Sequence, residues 1–319
     1  MPTVLITGGH KGLGLEATRK IAEQGDFDII IAGRNREEVE SAASDLRARY
    51  RTTLKTVILD VSSLVSVREA AAAIQTLVRN DDVSPLQVLM LNAGAQFMGQ
   101  IEFSVDGYEN TFATNCLGHF LLLNLLLANM QDGGRIVFTA SGTHDPDTMD
   151  GKMVGAAVEP DAFSLAHQGK GGKPISGGKR YATSKLCTML YAYELDRRLR
   201  ASGSSLQSIA FDPGLIVETS LIRSAPAAAQ WLMRTAPVKA ALRALGVTMG
   251  SIAFSGDALA RVAIDPSFSS ASGKYVQSRN GRLIEARSSA MSHDIRRARK
   301  LWSDSEALVE LSPHQQKEA

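Results

Sequence analysis

"TVLITGGHKGLGLEA", residues 3–17, decides how the rest of the chain is read. An apolar run, rich in β-branched residues, passes into a glycine-rich turn that opens at once into a helical pattern. Glycines at 8, 12 and 14 let the backbone turn sharply and approach a ligand closely. The helix that follows presents its first amides to the same point, which makes a phosphate site by geometry and by dipole. Gly12-x-Gly14-x-x-Ala17 matches GxGxxA literally, but in the wrong register for the ordinary dinucleotide fingerprint. Thr7-Gly8-x-x-x-Gly12-x-Gly14 is therefore taken as the operative pattern. The bland alternative is a strand-to-helix turn without a ligand; strand, turn and helix arriving in the required order argue against it.

The same alternation continues outward. "DIIIAG" (28–33), "LKTVILD" (54–60), "LQVLML" (86–91) and "RIVFTA" (135–140) are further short apolar runs, separated by helical stretches such as "REEVESAASDLRARY". "SLQSIAF" (205–211) and "GKYVQS" (273–278) read as a sixth and a seventh strand. Strands separated by helices predict an α/β fold, a doubly wound parallel sheet of about seven strands with helices on both faces. Continuous rather than alternating hydrophobicity within the strands fits burial on both sides. Neither an internal repeat nor a dividing linker is present, so residues 1–319 are expected to form a single Rossmann-type domain. Two segments break its rhythm: a polar, glycine-rich excursion at 142–180 and a mixed apolar and basic stretch at 215–255. The tail "HDIRRARKLWSDSEALVEL" is an amphipathic helix whose basic start reads as a solvated face.

Composition narrows the class. With 319 residues, 44% of them hydrophobic, a large core is affordable, and a net charge of +2 gives no field that argues for nucleic acid. Cys116 and Cys187 have neither metal-ligand nor CxxC spacing, so no metal site or disulfide scaffold is expected and a reducing cytoplasm suits the chain. "MPTVLITGG" lacks the basic start of a signal peptide. The apolar run at 120–130 is too short to span a bilayer and reads as a buried helix.

The end of the second strand bears on which nicotinamide cofactor is held. An acidic residue there would take the ribose 2′-hydroxyl, whereas an arginine accommodates a 2′-phosphate. The sequence has Arg34 at that point, and Lys11 in the loop adds a second cation, which favours NADP(H) over NAD. Asp60 is a candidate for the adenine amino group. Asn92, Ala93 and Gly94 close the fourth strand, where small residues let backbone pass close to a flat ring. Each of these is also compatible with ordinary turn chemistry.

Tyr181 and Lys185 stand four residues apart, on one face of a helix. A free phenol has a pKa of about 10, too high for easy proton exchange near neutrality. A neighbouring ammonium is expected to lower it towards acid–base range, and the lysine can also hold the nicotinamide ribose. Ser141, just past the fifth strand, is placed to hydrogen-bond a reacting oxygen. Thr143 either shares that bond or is a loop-side hydroxyl, the second being preferred.

Thr7-Gly8-x-x-x-Gly12-x-Gly14, Asn92-Ala93-Gly94, Asn115, Ser141, Tyr181-x-x-x-Lys185 and Pro213-Gly214, in this order, resemble the short-chain dehydrogenase/reductase family. The resemblance implies hydride transfer on a nicotinamide, with Tyr181 as proton donor or acceptor, Ser141 orienting the substrate oxygen and Asn115 helping to hold a water relay to Lys185. The cofactor-binding set it implies is Thr7, Gly8, Lys11, Gly12, Leu13, Gly14, Arg34, Asp60, Val61, Asn92, Ala93, Gly94, Tyr181, Lys185, Pro213 and Gly214. "DGYENTFATNCLGHFLLLNLLL" and "DPGLIVETSLIR" are similar to one branch, that of light-dependent protochlorophyllide oxidoreductases and retinol-dehydrogenase-like enzymes. Cys187, two after the lysine, fits the protochlorophyllide enzymes. "NAGA" instead of an "NAAV"-type turn, Cys116 in place of a histidine and the composition of the excursion depart from them. The reading is an NADP(H)-dependent oxidoreductase acting on a carbonyl or activated C=C of a fairly apolar small molecule. Light-dependent protochlorophyllide reduction is one alternative, and a non-catalytic NADP-binding sensor or scaffold is another.

The remaining features are weighed alone. His144 and His167 lack a partner at ligand spacing and are expected at the surface. Cys187 is expected to pack rather than donate protons, since it lies off the Tyr181–Lys185 face. Trp231, Leu232, Met233 and Leu242, interleaved with Arg234, Lys239 and Arg243, suggest a lid over the pocket. A basic amphipathic lid of this kind allows at most peripheral membrane contact. The resembled family also makes a homo-oligomer an open expectation.

Overall fold

The computed structural model describes residues 1–216 and 235–311. Among the described residues, eight strands form one sheet in the order β3-β2-β1-β4-β5-β6-β7-β8. They are β1 (Thr3–Thr7), β2 (Asp28–Gly33), β3 (Leu54–Ile58), β4 (Leu86–Leu91), β5 (Met130–Thr139), β6 (Gln207–Asp212), β7 (Tyr275–Arg279) and β8 (Arg282–Glu285). The first seven run parallel; β8 returns antiparallel on β7. The expected seven strands are thus eight. The additional one follows a two-residue turn, Asn280–Gly281, in which both residues have positive φ (52° and 78°). An Asn-Gly pair at positive φ matches the right-handed twist of a tight hairpin, so the sequence carried a signal for β8.

Alternate side chains of each strand feed two cores. In β1, Leu5 faces one core, shared with Phe120, Leu186 and Trp302, while Val4 and Ile6 face the other, shared with Ile21, Val39 and Leu259. Burial on both faces is why the strands read as unbroken apolar runs. Helices α1 (Gly12–Gln24) and α2 (Arg36–Arg49) and the later α9 (Ile252–Ile264) cover the second core. Asn35 starts α2 by accepting the Glu37 and Glu38 amides at 2.9 and 3.2 Å. Helices α3 (Leu64–Arg79), α4 (Asn110–Asn129) and α7 (Gly177–Ser202) cover the first.

Helix α4 is 20 residues long, so the apolar run extends further back than residue 120, and by length and composition it could cross a membrane. In the fold, 89% of its most apolar 18-residue window is buried, the position of a core helix. The excursion also differs from expectation. It holds two short helices, α5 (Met149–Val154) and α6 (Ala162–Ala166), and Ala162, Leu165 and Ala166 are buried in the first core. Of the lid stretch, α8 (Ala236–Ala244) and α9 (Ile252–Ile264) are described; Trp231, Leu232, Met233 and Arg234 lie outside the described residues. Leu242, Val247 and Met249 pack with Met149, which seats the described part of this stretch on the excursion.

The tail forms α10 (Ile295–Leu308). Its Trp302 is fully buried, with its ring centroid 4.9 Å from that of Phe120 and 6.2 Å from that of Tyr191. Arg297 and Lys300 pair with Glu159 and Asp161 of the excursion at 2.9 and 2.7 Å. The basic start of this helix is therefore partly committed to ion pairs rather than simply solvated.

Candidate active site

At the carboxyl end of β1 the loop turns with Gly8 at φ 70° and Gly12 at φ 55°. A Cβ on Gly14 would collide with the Gly8 carbonyl and lie 2.7 Å from Asn92 Nδ2, whereas one on Gly12 would meet nothing within 4 Å. The loop is thus tight on its inner side and open on the other. Lys11, at the N-cap of α1, gives no side-chain acceptor to the first amides. Amides left in this way at an open helix start suit the pyrophosphate of a dinucleotide.

Thr7 and Asn92 are struts of this cradle. Thr7 Oγ1 accepts the amides of Asn92 and Ala93, both at 2.9 Å, and Asn92 Nδ2 donates to the Thr7 carbonyl at 2.9 Å. Leu13 packs on the second core, and Val61 is buried beside Gly118 of α4. Pro213 and Gly214 follow β6, with Gly214 at φ 72°.

Arg34 leaves the end of β2 with its side chain 78% exposed, 3.9 Å from Asp60. Lys11 stands on the same rim and pairs with Glu38 at 3.3 Å. Both cations are open to an anion arriving from solvent, although each already faces a carboxylate. Asp60 Oδ1 accepts the Ser62 amide and hydroxyl at 2.9 and 2.6 Å, so this oxygen is spent on a turn.

The four residues expected to carry the chemistry come together. The Ser141 hydroxyl stands close enough to the Tyr181 phenol to pull its pKa down. Lys185 Nζ lies 5.8 Å from the centroid of the Tyr181 ring and donates to the Thr139 carbonyl at 2.8 Å. Asn115 sits in a π-helical turn, Ala113–Leu117, of the kind that interrupts an α-helix at functional positions. Its Oδ1 accepts the Ala95 amide at 2.9 Å, and its Nδ2 donates to the Ala95 carbonyl and to Ser184 Oγ, both at 3.0 Å. Behind Lys185 is a small cavity lined by Asn115, Cys116, His119, Thr188 and Tyr191, among others. Thr143 is buried and donates to Ser141 Oγ at 3.1 Å, so it orients the serine and is not a loop-side hydroxyl.

The electrostatics differ from the expected tuning. Burial pushes the Tyr181 phenol well above its ordinary value, Asp212 pushes it further, and the neighbouring Ser141 hydroxyl pulls the other way. Lys185 is not among the groups that lower it. Its ammonium reaches the Thr139 carbonyl rather than the phenol oxygen, and burial brings Lys185 itself down to about 8. Desolvation outweighs the cation here.

His144 also corrects an expectation. It is 1% exposed, its Nδ1 2.7 Å from the Ser141 carbonyl and its Nε2 accepting the Ser289 amide at 3.1 Å. Burial lowers its pKa, and with both ring nitrogens engaged it braces the serine turn. His167 is half-buried, its ring edge-on to Tyr108. Cys187 is fully buried in the first core beside Cys116, and burial raises its thiol, as a packing role requires.

Three residues near the site went unread in the sequence. His119 Nε2 lies 3.0 Å from Thr7 Oγ1, and burial lowers the ring to about 3. A neutral imidazole there ties the glycine loop to α4; a lone polar residue inside an apolar run was its signal. Asp212 is buried and Asp150 half-buried, both against Gly142, the residue after Ser141. Asp212 occupies the carboxyl end of a strand, where ligands of open α/β sheets bind, and that position was legible.

A loop of this geometry feeding a buried tyrosine and lysine beside a half-buried serine agrees with the family comparison: the short chain dehydrogenase model matches residues 2–150. The protochlorophyllide reductase of Daucus carota is 31% identical over 97% of this chain and 78% of its own length. A short-chain dehydrogenase TIC 32 A of Brassica napus is 32% identical (98% and 89% covered), and a polyprenol dehydrogenase of Danio rerio is 32% identical (96% and 86%). An uncharacterised protein of Mycobacterium paratuberculosis superposes with a TM-score of 0.69 at 28% identity, covering 97% of this chain and 94% of that one. The chain belongs to the short-chain dehydrogenase/reductase family of oxidoreductases. Within it, the branch is the one that holds protochlorophyllide reductases and retinol-dehydrogenase-like enzymes.

Proposed function

We propose that this protein uses NADP(H) to reduce a carbonyl or an activated C=C of a fairly apolar small molecule. One observation carries the reading: Tyr181, with Ser141 beside its phenol and Lys185 beside its ring, is brought by α7 to the carboxyl end of β5, the side of the sheet that also bears the open glycine loop. A reduced nicotinamide dinucleotide supplies a hydride when bound along that loop. Ser141 holds the substrate oxygen, and Tyr181 gives it a proton as negative charge develops there. Lys185 and Asn115 line the cavity behind, the side from which a proton returns to the tyrosine. Arg34 and Lys11 on the open rim favour the 2′-phosphate of NADP(H) over NAD. A solved short chain dehydrogenase of Burkholderia cenocepacia, in complex with NADP, shares the fold at a TM-score of 0.63.

The test is NADPH consumption with a panel of aldehydes, ketones, retinoids and tetrapyrroles, the tetrapyrroles kept dark and then illuminated. At least one substrate should turn over, and Tyr181→Phe should slow it by roughly 10²–10⁴ while NADPH still binds. A Phe variant with undiminished turnover overturns the assignment of Tyr181. Equal efficiency with NADH contradicts the role given to Arg34 and Lys11.

A further inference from the structure

The two cations on the rim of the glycine loop are not equally free to meet a phosphate, and the difference lies in Glu38. Asn35 accepts the Glu38 amide at 3.2 Å, which sets this residue in the first turn of α2. Its Oε2 reaches back to two residues of the loop, Lys11 Nζ at 3.3 Å and His10 Nε2 at 3.5 Å. His10 fixes the loop in that position. Its side chain is 5% exposed, and a Cβ on Gly33, at the end of β2, would come within 2.5 Å of its ring. The ring therefore fills the gap between the loop and β2 and keeps Lys11 beside α2. Lys11 first, and His10 after it, hold the Glu38 carboxyl below the usual carboxylate range, so it is an anion at neutral pH. Arg34 is less engaged: Asp60 lies 3.9 Å away, and the arginine side chain is 78% exposed.

We propose that Glu38 is a specificity-determining residue for the cofactor, an internal anion on Lys11 that the 2′-phosphate of NADP(H) has to displace. The proposal rests on the reading that Lys11 and Arg34 receive that phosphate. NAD(H) brings a hydroxyl to the same place and leaves the Lys11–Glu38 pair intact. A phosphate dianion instead meets a lysine whose charge is already matched, and it must exchange one ion pair for another. Specificity is a difference between two affinities, and this exchange falls on NADP(H) alone. Glu38 therefore narrows the gap between the two cofactors that the cations would otherwise set. The pair is open to water, the lysine side chain 65% exposed and the glutamate 50%, so a phosphate can part it without disturbing the fold.

Adenosine 2′,5′-bisphosphate and adenosine 5′-monophosphate, titrated calorimetrically into the full chain at low ionic strength, isolate the 2′-phosphate. Glu38→Gln should tighten the bisphosphate by about three- to fivefold and leave the monophosphate unchanged. Glu37→Gln removes the same charge one residue away, from a carboxylate that pairs with no cation among the described residues, and should move neither affinity. In a Lys11→Met background the gain from Glu38→Gln should vanish, because there is no pair left to break. No gain in Glu38→Gln, an equal gain in Glu37→Gln, or a gain that survives Lys11→Met overturns the proposal. If wild type and Glu38→Gln alike bind the bisphosphate no better than the monophosphate, the NADP(H) reading falls and takes this proposal with it. A preference that is present in wild type and unmoved by Glu38→Gln removes this proposal alone.

Discussion

Lys185 should cost the fold stability, and the cost should disappear with rising pH. Its ammonium is fully buried, and burial takes its pKa from 10.5 to about 8. A fall of that size corresponds to about 3 kcal/mol of discrimination against the charged form. Below pH 8 the lysine is charged both in the folded chain and in the unfolded one, so the fold bears the whole cost. Between about 8 and 10.5 the folded chain has released the proton while the unfolded chain keeps it, and stability rises with pH. Lys185→Met removes the titration and preserves most of the volume, although the Thr139 carbonyl loses its donor at a cost of about 1–3 kcal/mol. That loss is the same at every pH, so the signature lies in the difference between the two proteins. Urea unfolding at pH 7 and pH 10 should show wild type gaining about 2–3 kcal/mol on Lys185→Met. A difference that stays flat across this range would refute the reasoning, because a buried lysine that charges only at a cost cannot behave so.

Two further outcomes follow from packing. Gly14→Ala puts a methyl group against the Gly8 carbonyl and Asn92 Nδ2, so NADPH binding, read by nicotinamide fluorescence, should weaken at least ~10-fold, equivalent to about 1.4 kcal/mol. Unchanged affinity would mean the loop does not hold the pyrophosphate. Trp302→Ala empties the space between Phe120 and Tyr191 and should destabilise the chain by about 3–5 kcal/mol in chemical denaturation.

Much of this architecture was legible because it is local. The apolar runs at 3–7, 28–33 and 86–91 match β1, β2 and β4 residue for residue, since strands buried on both faces advertise themselves without regard to their neighbours. The spacing of Tyr181 and Lys185 put them on one helix, and Ser141 met them because it ends a strand of the same sheet. What could not be read depends on contacts distant in sequence. His144 looked like a surface residue in a polar stretch, yet its second nitrogen is used by Ser289, 145 residues away. Asp212 gains its importance from Tyr275 and Gly142, neither of which is near it in the chain. The expected acidifying effect of Lys185 failed for the same reason: helical spacing fixes which face a residue shares, not how much water reaches it.

Helix α10 has a consequence for how the molecule is made. Tyr108 donates its hydroxyl to the Leu308 carbonyl at 2.8 Å, and Arg68 reaches the Val309 carbonyl at 2.6 Å. A nascent chain emerging from the ribosome can assemble the glycine loop early. Until α10 is docked, it carries an oily, unroofed flank along the reacting helix. Docking of α10 therefore completes the first core, and a chain that lacks this helix would leave a cradle able to form beside machinery that cannot stay dry.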